Sequence, residues 1–577
     1  MPAFIKTNTV LIQQKDGWLL FQNPNRIIQA NAAEEVIPAL KILENQVKTG
    51  KFAAGFLSYE SAPAFDTALN AHTSPDFPLL WFGLYQAPRK LGSLPECGND
   101  YSLESWVPDI QLPGYHQIID RIKMHLADGD SYQVNYTFRI RSPFSGSGFR
   151  FFRQMTDSQQ SHFGAYLEFG RYTVCSASPE LFFQLDGDLL LSRPMKGTIS
   201  RGRYHTEDLV YARTLRNSMK DRAENVMIVD MMRNDMGKIA IPGSVEAPHL
   251  FEVEKYPTVW QMTSTVSSRT RSTVTEIIRA LFPCASVTGA PKPNTMKIIR
   301  DLETSPRKIY TGAIGMIAPE RKARFNVAIR TVLIDRNKAE AEYGVGGGIV
   351  WDSTAGDEFH ECEIKARVLH ECRPDFQLIE SMLWTPESGY ALLDYHLNRL
   401  NESARYFDYP LNRNKLRRLL EKGKKIFPRN PVKVRLLLHA NGMLDLNWEF
   451  PKSSGSVRIR LAKTPVDPRH IFLYHKTTNR SIYEGALAGR MDADDVVLWN
   501  TRGEITEASS SNIVLKICGD YVTPPVDCGL LPGTRRAELL DQGKLKEKVL
   551  LKTDLKNADE IFLINSVRPW RKAIYME

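Results

Sequence analysis

Two lysines in this chain stand where an amine could be put to chemical use. Lys196 lies in Pro194-Met195-Lys196-Gly197-Thr198, between a proline-led turn and a Gly-Thr pair. Lys476 closes the apolar stretch Phe472-Leu473-Tyr474-His475 and precedes Thr477-Thr478-Asn479-Arg480. A lysine held out of water, or beside another cation, loses its proton more readily and can attack carbon. A solvated lysine in a turn does neither, so the surrounding residues decide between the two readings.

Two carboxylate pairs accompany Lys196. Asp221 and Glu224 lie in KDRAENVMIVDMMRND, and Glu358 and Glu361 lie in DEFHECEIKA. Each pair is spaced i, i+3, which on a helix puts both carboxylates on one face. Two such faces turned toward each other would make an oxygen-rich site for Mg²⁺. Turned outward, they would be solvated surface. Residues 226–232 are too apolar for a surface helix, so Glu224 is expected at the edge of a core, where a carboxylate needs a partner. Lys476 has different company. Some thirty residues on, the segment 503–512 brings Glu507, and the segment 529–536 brings Gly533-Thr534. A lysine for a Schiff base, an acid for a pyridine nitrogen and a Gly-Thr turn for a phosphate are what pyridoxal phosphate requires. Each of these alone would read as an ordinary loop.

The elements that must hold these groups exceed one hydrophobic core. The 577 residues suggest two to four domains of about 100–250 residues. The 42% hydrophobic and 24% charged content is that of a soluble globular protein. The net charge of +9 is spread along the chain without a basic tail, which argues against nucleic acid and weakly favours an anionic substrate. Seven scattered cysteines without a CxxC suggest reduced thiols in a cytoplasm, and neither a disulfide framework nor a zinc site. The N-terminal residues lack a signal h-region, and no apolar run reaches the ~18 residues of a membrane span. Residues 118–127 read as an amphipathic helix, 163–167, 172–177 and 181–185 as strands, and 358–369 as a charged helix. The glycine-rich run 344–348 reads as a flexible loop that a ligand could approach closely. Glu371-Cys372-Arg373-Pro374-Asp375 punctuates the chain. The boundary is placed there, giving domains 1–370 and 376–577.

The first domain resembles the chorismate-utilising enzymes: the synthase subunits for anthranilate and aminodeoxychorismate and their isochorismate and salicylate synthase relatives. The matching segments run in order from GDSYQVNYT (129–137), SASPELFF (176–183) and RPMKGTISRG (193–202) to DRAENVMIVDMMRNDMG (221–237), LFPCASVTGAPK (281–292), YTGAIGMI (310–317) and GGGIVWDSTAGDEFHECEIKA (346–366). Anthranilate synthases resemble PIAGT at the position of Lys196, whereas aminodeoxychorismate synthases carry PIKGT; PMKGT sides with the latter. The resemblance implies that Lys196 attacks C2 of chorismate and expels the C4 hydroxyl, with Glu180 as general acid and base, before ammonia adds at C4. It implies Mg²⁺ held by Glu224 and Glu361 with Asp221 and Glu358 in support. Thr198, Tyr310, Arg330, Lys365, Gly346 and Gly348 match substrate-binding positions. Gln261 replaces a histidine of many relatives; an amide cannot shuttle protons, which disfavours pyruvate loss at this site. No cysteine nucleophile elbow is present, so a separate glutamine amidotransferase, or free ammonia, is implied.

The second domain resembles the fold-type IV pyridoxal-phosphate enzymes, which include branched-chain and D-amino-acid aminotransferases and aminodeoxychorismate lyases. The match runs from IESMLW (379–384) and HLNRL (396–400) to INSVR (564–568). It implies Lys476 as Schiff-base lysine, Glu507 on the pyridine nitrogen, and Arg399, Gly533, Thr534 and Ser566 on the phosphate, with a homodimer through this domain as one form it allows. The expected architecture is α+β and α/β: two facing β-sheets with outer helices, then the fold-type IV domain. The fusion favours a lyase, converting aminodeoxychorismate to 4-aminobenzoate and pyruvate for folate synthesis. The rival readings are an anthranilate synthase component fused to an aminotransferase, and a second domain that is a catalytically dead docking module.

Overall fold

A computed structural model describes residues 6–96, 100–370, 374–451, 455–490 and 492–577. The described chain divides into two compact units. The first holds Met1–Ser200 and Ala212–Arg373, and the second holds Arg201–Tyr211 and Pro374–Glu577. Among the described residues no helix is long and apolar enough to cross a membrane.

The first unit is built on two large sheets, of 11 and 10 strands, antiparallel throughout among the described residues. One core lies between them, where Val10, Ile12 and Phe21 from one sheet meet Ala54, Phe56 and Trp81 from the other. Strands so placed are buried on both faces, so they read as apolar runs such as Leu80–Tyr85, every residue of which is buried. Helices cover the outer faces. Ala33–Lys48 and Val274–Leu281 pack on one sheet, and Leu112–Ala127 and Gly148–Gln159 on the other. The expected strands occur as Phe163–Phe169, Tyr172–Ser178 and Leu181–Asp186, and the expected helices as Leu112–Ala127 and Ala355–Ala366.

The glycine run 344–348 is not a flexible loop. It lies within the strand Glu340–Ile349, paired in unbroken register with Gln133–Gly146, Gly346 opposite Thr137 and Gly348 opposite Asn135. The glycines serve close packing: a Cβ on Gly348 would come within 2.9 Å of both the Lys196 amine and the Gln133 amide.

The strand Gln133–Gly146 is anchored by a buried ionic knot. Glu303 accepts hydrogen bonds from the Thr137 amide (2.9 Å) and hydroxyl (2.7 Å) and from Arg307 Nη2 (2.6 Å). Arg307 also donates to the carbonyls of Val287 and Asn135. The knot thereby fixes the turn that leads to Tyr310.

The second unit has a 4-stranded and an 8-stranded sheet among the described residues. In the strand Leu378–Thr385 burial alternates residue by residue, which turns one face to the helices Leu393–Phe407 and Arg413–Ile426.

Removing one partner of a buried pair strands the other charge. Glu303→Ala should therefore lower the stability of the first unit by about 3–5 kcal/mol, measured by chemical denaturation against wild type. A change within experimental error would contradict the anchoring role.

Candidate active sites

In each unit the residues singled out above gather around a shared cavity. In the first unit the cavity is about 280 Å³ and is lined by Glu180, Lys196, Thr198, Asp221, Glu224, Tyr310, Arg330, Gly346, Gly348, Glu358, Glu361 and Lys365. Lys196 sits on the edge strand Met195–Ser200, facing the helix Met219–Gly237 that carries Asp221 and Glu224. Ser218 caps that helix by accepting from the Asp221 amide. The Lys196 amine lies 2.9 Å from Glu224, and both side chains are largely buried. The partner that Glu224 requires is thus supplied by Lys196 itself.

The turn around Lys196 is held from behind. Asn225 donates to the Lys196 carbonyl (3.2 Å), and Gln261 donates to the Gly197 carbonyl (2.8 Å) while accepting from the Thr198 hydroxyl (2.9 Å). Gln261 is therefore engaged as a clamp.

Glu180 is 2% exposed and accepts from the Ser286 hydroxyl at 2.7 Å. Burial pushes its pKa up to about 7, against the lowering effect of that hydrogen bond. A carboxyl so poised can both give and take a proton near neutrality. Opposite, Lys365 pairs with Glu361 (2.9 Å) and donates to the Gly346 carbonyl (2.8 Å). Glu358 accepts from Ser353, and its pKa is raised by burial and by the neighbouring charge of Glu361. Among the described residues no three acidic, histidine or cysteine side chains converge into a ready metal cluster. Glu224 and Glu361 are instead drawn to lysines. The shared lining and the mutual repulsion of Glu358 and Glu361 still make a donor set that a divalent cation would suit.

Sequence reasoning missed Ser286 and Gln133. Both lie in segments quoted for the resemblance, but nothing in a single sequence marks Ser286 as a partner of Glu180 or Gln133 as packed with Lys196 around Gly348. Gln133 is fully buried, and neither of its amide atoms has a hydrogen-bond partner among the described residues.

In the second unit the cavity is about 470 Å³, lined by Arg399, Lys476, Glu507, Gly533, Thr534 and Ser566. The Lys476 amine makes no salt bridge among the described residues. Burial, helped by the positive charge of Arg399, lowers its pKa to about 8. Glu507 is 4% exposed, and burial raises its pKa to about 7. It accepts from the Tyr483 hydroxyl (2.8 Å), the Leu531 amide (3.1 Å) and the Asn512 side chain (3.2 Å). Arg399 is fixed by a two-point pair with Glu380 (2.7 and 2.9 Å) and donates to the Pro532 carbonyl. His396 joins Glu380 at 2.6 Å and Thr534 at 3.3 Å. Gly533 is the N-cap of the helix Thr534–Asp541, and Arg399, Gly533 and Thr534 line the same cavity, a set of donors that an anion would suit. The Ser566 hydroxyl, which lines the same cavity, donates to the Ser381 carbonyl at 2.8 Å. Lys433, Arg435, Arg480 and Arg568 also line the cavity. Their convergence is not visible in the sequence because they come from three separate stretches.

The family description "chorismate binding enzyme" matches residues 6–371. The chain belongs to that family. The description "Amino-transferase class IV" matches residues 377–573. The chain is 38% identical over 269 residues to "Aminodeoxychorismate synthase component 1" of Salmonella typhimurium, covering 46% of this chain and 59% of that one. It is 35% identical over 310 residues to the protein of the same name from Klebsiella aerogenes, covering 53% and 66%. The chain thus spans about three-fifths to two-thirds of the length of these relatives. A solved anthranilate synthase component I from Streptococcus pneumoniae shares the fold of the first unit, at 22% identity and a TM-score of 0.52, covering 64% of this chain and 94% of that one. The expected two-sheet architecture is the observed one.

The raised carboxyl of Glu180 sets a pH dependence. Its stabilising contribution is complete below the ordinary value of 4.5 and is lost as pH rises to about 7, because the folded state then holds a desolvated charge. The stability of wild type relative to Glu180→Gln should fall across that window, read as the difference in melting temperature at several pH values. A difference that does not change with pH would contradict the burial of this carboxyl.

Proposed function

We propose that the first unit aminates chorismate at C4 and that the second removes pyruvate from the product, giving 4-aminobenzoate, a folate precursor. The observation that carries this reading is Lys196: an amine placed in the same cavity as a buried acid, Glu180, whose pKa is close to neutrality. The relatives named aminodeoxychorismate synthase support the same choice.

In this reading Lys196 first gives up a proton to water, and its free amine then bonds to C2 of chorismate. The C4 hydroxyl leaves as water, taking a proton from Glu180, and the ring double bonds shift accordingly. Ammonia then adds at C4, C2 releases the amine, and Glu180 recovers a proton. Arg330, Tyr310 and Lys365 face the substrate carboxylates. Mg²⁺ held by Glu224 and Glu361, with Asp221 and Glu358, would neutralise charge on the ring carboxylate. The relatives' designation "component 1" supports a separate glutamine amidotransferase as the ammonia source.

In the second unit, pyridoxal phosphate would supply the electron sink for losing pyruvate. The residues present suit it: Arg399 and Thr534 would hold its phosphate, Glu507 its pyridine nitrogen and Lys476 its carbonyl carbon. Lys476, with a pKa near 8, can then accept the proton removed from C4 and return one to the departing enolpyruvyl group. The basic lining, Arg435 and Arg568 among it, suits a dicarboxylate substrate.

Two substitutions separate the steps. Lys196→Ala should reduce ammonia-dependent formation of aminodeoxychorismate by at least about 100-fold; output equal to wild type would sink the nucleophile assignment. Lys476→Ala should leave that step intact while aminodeoxychorismate accumulates, as followed by liquid chromatography. Normal release of 4-aminobenzoate by this variant would rule out the lyase assignment.

A further inference from the structure

The second unit contains a segment that its position in sequence would not suggest. Arg201–Tyr211 follows directly on the Lys196 strand, yet it packs with Pro374–Glu577 as one compact unit. The segment is a tightly made knot. Arg201 pairs with Asp208 through two hydrogen bonds of 2.7 Å, with both side chains buried. Asp208 also accepts from the Gly202 amide (2.9 Å), and a Cβ on Gly202 would lie 2.3 Å from the Asp208 nitrogen, so only glycine fits. Glu207 binds both the Arg203 amide and its guanidinium.

The knot is seated against the loop that carries Lys476. Tyr406 donates to the Gly202 carbonyl (2.7 Å), and the Arg201 guanidinium lies over the Tyr406 ring at 4.5 Å. Arg203 donates to the Tyr474 hydroxyl (3.1 Å). The imidazole of His475 is 4% exposed and bonded at both nitrogens: Nε2 to the Arg203 carbonyl (3.1 Å) and Nδ1 to the Ser403 hydroxyl (2.9 Å). Burial keeps this ring neutral, with a pKa lowered to about 3. One arrangement satisfies the ring, with Nε2–H donating to the carbonyl and Nδ1 accepting from serine. The ring also packs on Tyr406 (4.5 Å) and Phe407 (4.7 Å). Tyr204 reaches a second feature of the site, since it packs in the apolar cluster containing Tyr483, the residue that donates to Glu507.

We propose that the Arg201–Tyr211 segment is a working part of the second site: its Arg203 carbonyl fixes the His475 ring and thereby positions Lys476, the next residue. His475 is in this sense a positioning residue and does not touch the reacting atoms. The inference rests on the reading of Lys476 as the lysine that bears pyridoxal phosphate. It means that residues 374–577 without this segment would present Lys476 on a loosened loop.

The test uses full-length His475→Gln, His475→Leu and Gly202→Ala, each loaded with pyridoxal phosphate. A glutamine can still donate to the Arg203 carbonyl, whereas a leucine only fills space. His475→Leu and Gly202→Ala should displace the pH midpoint of the bound-cofactor absorbance and slow turnover of aminodeoxychorismate by about 10–100-fold. His475→Gln should recover most of both. If leucine and glutamine behave alike, or if Gly202→Ala folds and keeps the wild-type midpoint, the inference is overturned. Should Gly202→Ala not fold, the His475 pair alone decides. A wild-type protein that shows no bound-cofactor absorbance would instead contradict the underlying reading of Lys476.

Discussion

A lysine amine taken out of water must either find an opposite charge or give up its own. The first unit meets that constraint at Lys196 with a carboxylate 2.9 Å away on the facing helix. The second meets it at Lys476 without a salt bridge, so burial and the nearby Arg399 lower the amine's pKa to about 8. Much of the remaining architecture follows from these two choices. Lys196 needs a helix aimed at an edge strand, a neighbouring strand of glycines to leave it room, and a clamp on its turn. Lys476 needs a pocket in which no carboxylate pairs with it, and Glu380, held by Arg399 and His396, is kept for other partners.

The buried acids obey the same rule from the other side. Glu180 and Glu507 each sit almost wholly out of water, and each is pushed toward a pKa of about 7 by burial. Hydrogen bonds from Ser286 in one case, and from Tyr483 and Leu531 in the other, limit the rise. Glu303 shows what a full set of cationic partners does: surrounded by Arg307, Arg139 and the Thr137 donors, it serves as structural glue. Carboxylates with complete ionic partners hold the fold, and those held by neutral donors alone keep a proton within reach.

Much of this was legible in the sequence because the groups lie in compact motifs. The i, i+3 spacing of Asp221 with Glu224 and of Glu358 with Glu361 did place both pairs on helices facing one cavity. The strands 163–167, 172–177 and 181–185 announced themselves by composition. The glycine run 344–348 misled because glycine marks flexibility and close packing equally; only the partner strand decides between them. The Lys196–Glu224 pair, the Gln261 clamp and the Ser286 contact depend on long-range packing, which leaves no local pattern. The Arg201–Tyr211 excursion was the least legible feature. Its residues look like an ordinary helix start, and only tertiary structure shows which unit they join.

The central claim is that two lysine-centred sites in one chain act in succession. The most direct test is to incubate the purified chain with chorismate, Mg²⁺, pyridoxal phosphate and an ammonium salt, and to identify the products by mass spectrometry against standards. The account predicts 4-aminobenzoate together with pyruvate. Anthranilate would contradict the assignment of Lys196, and aminodeoxychorismate that accumulates without further conversion would contradict that of Lys476.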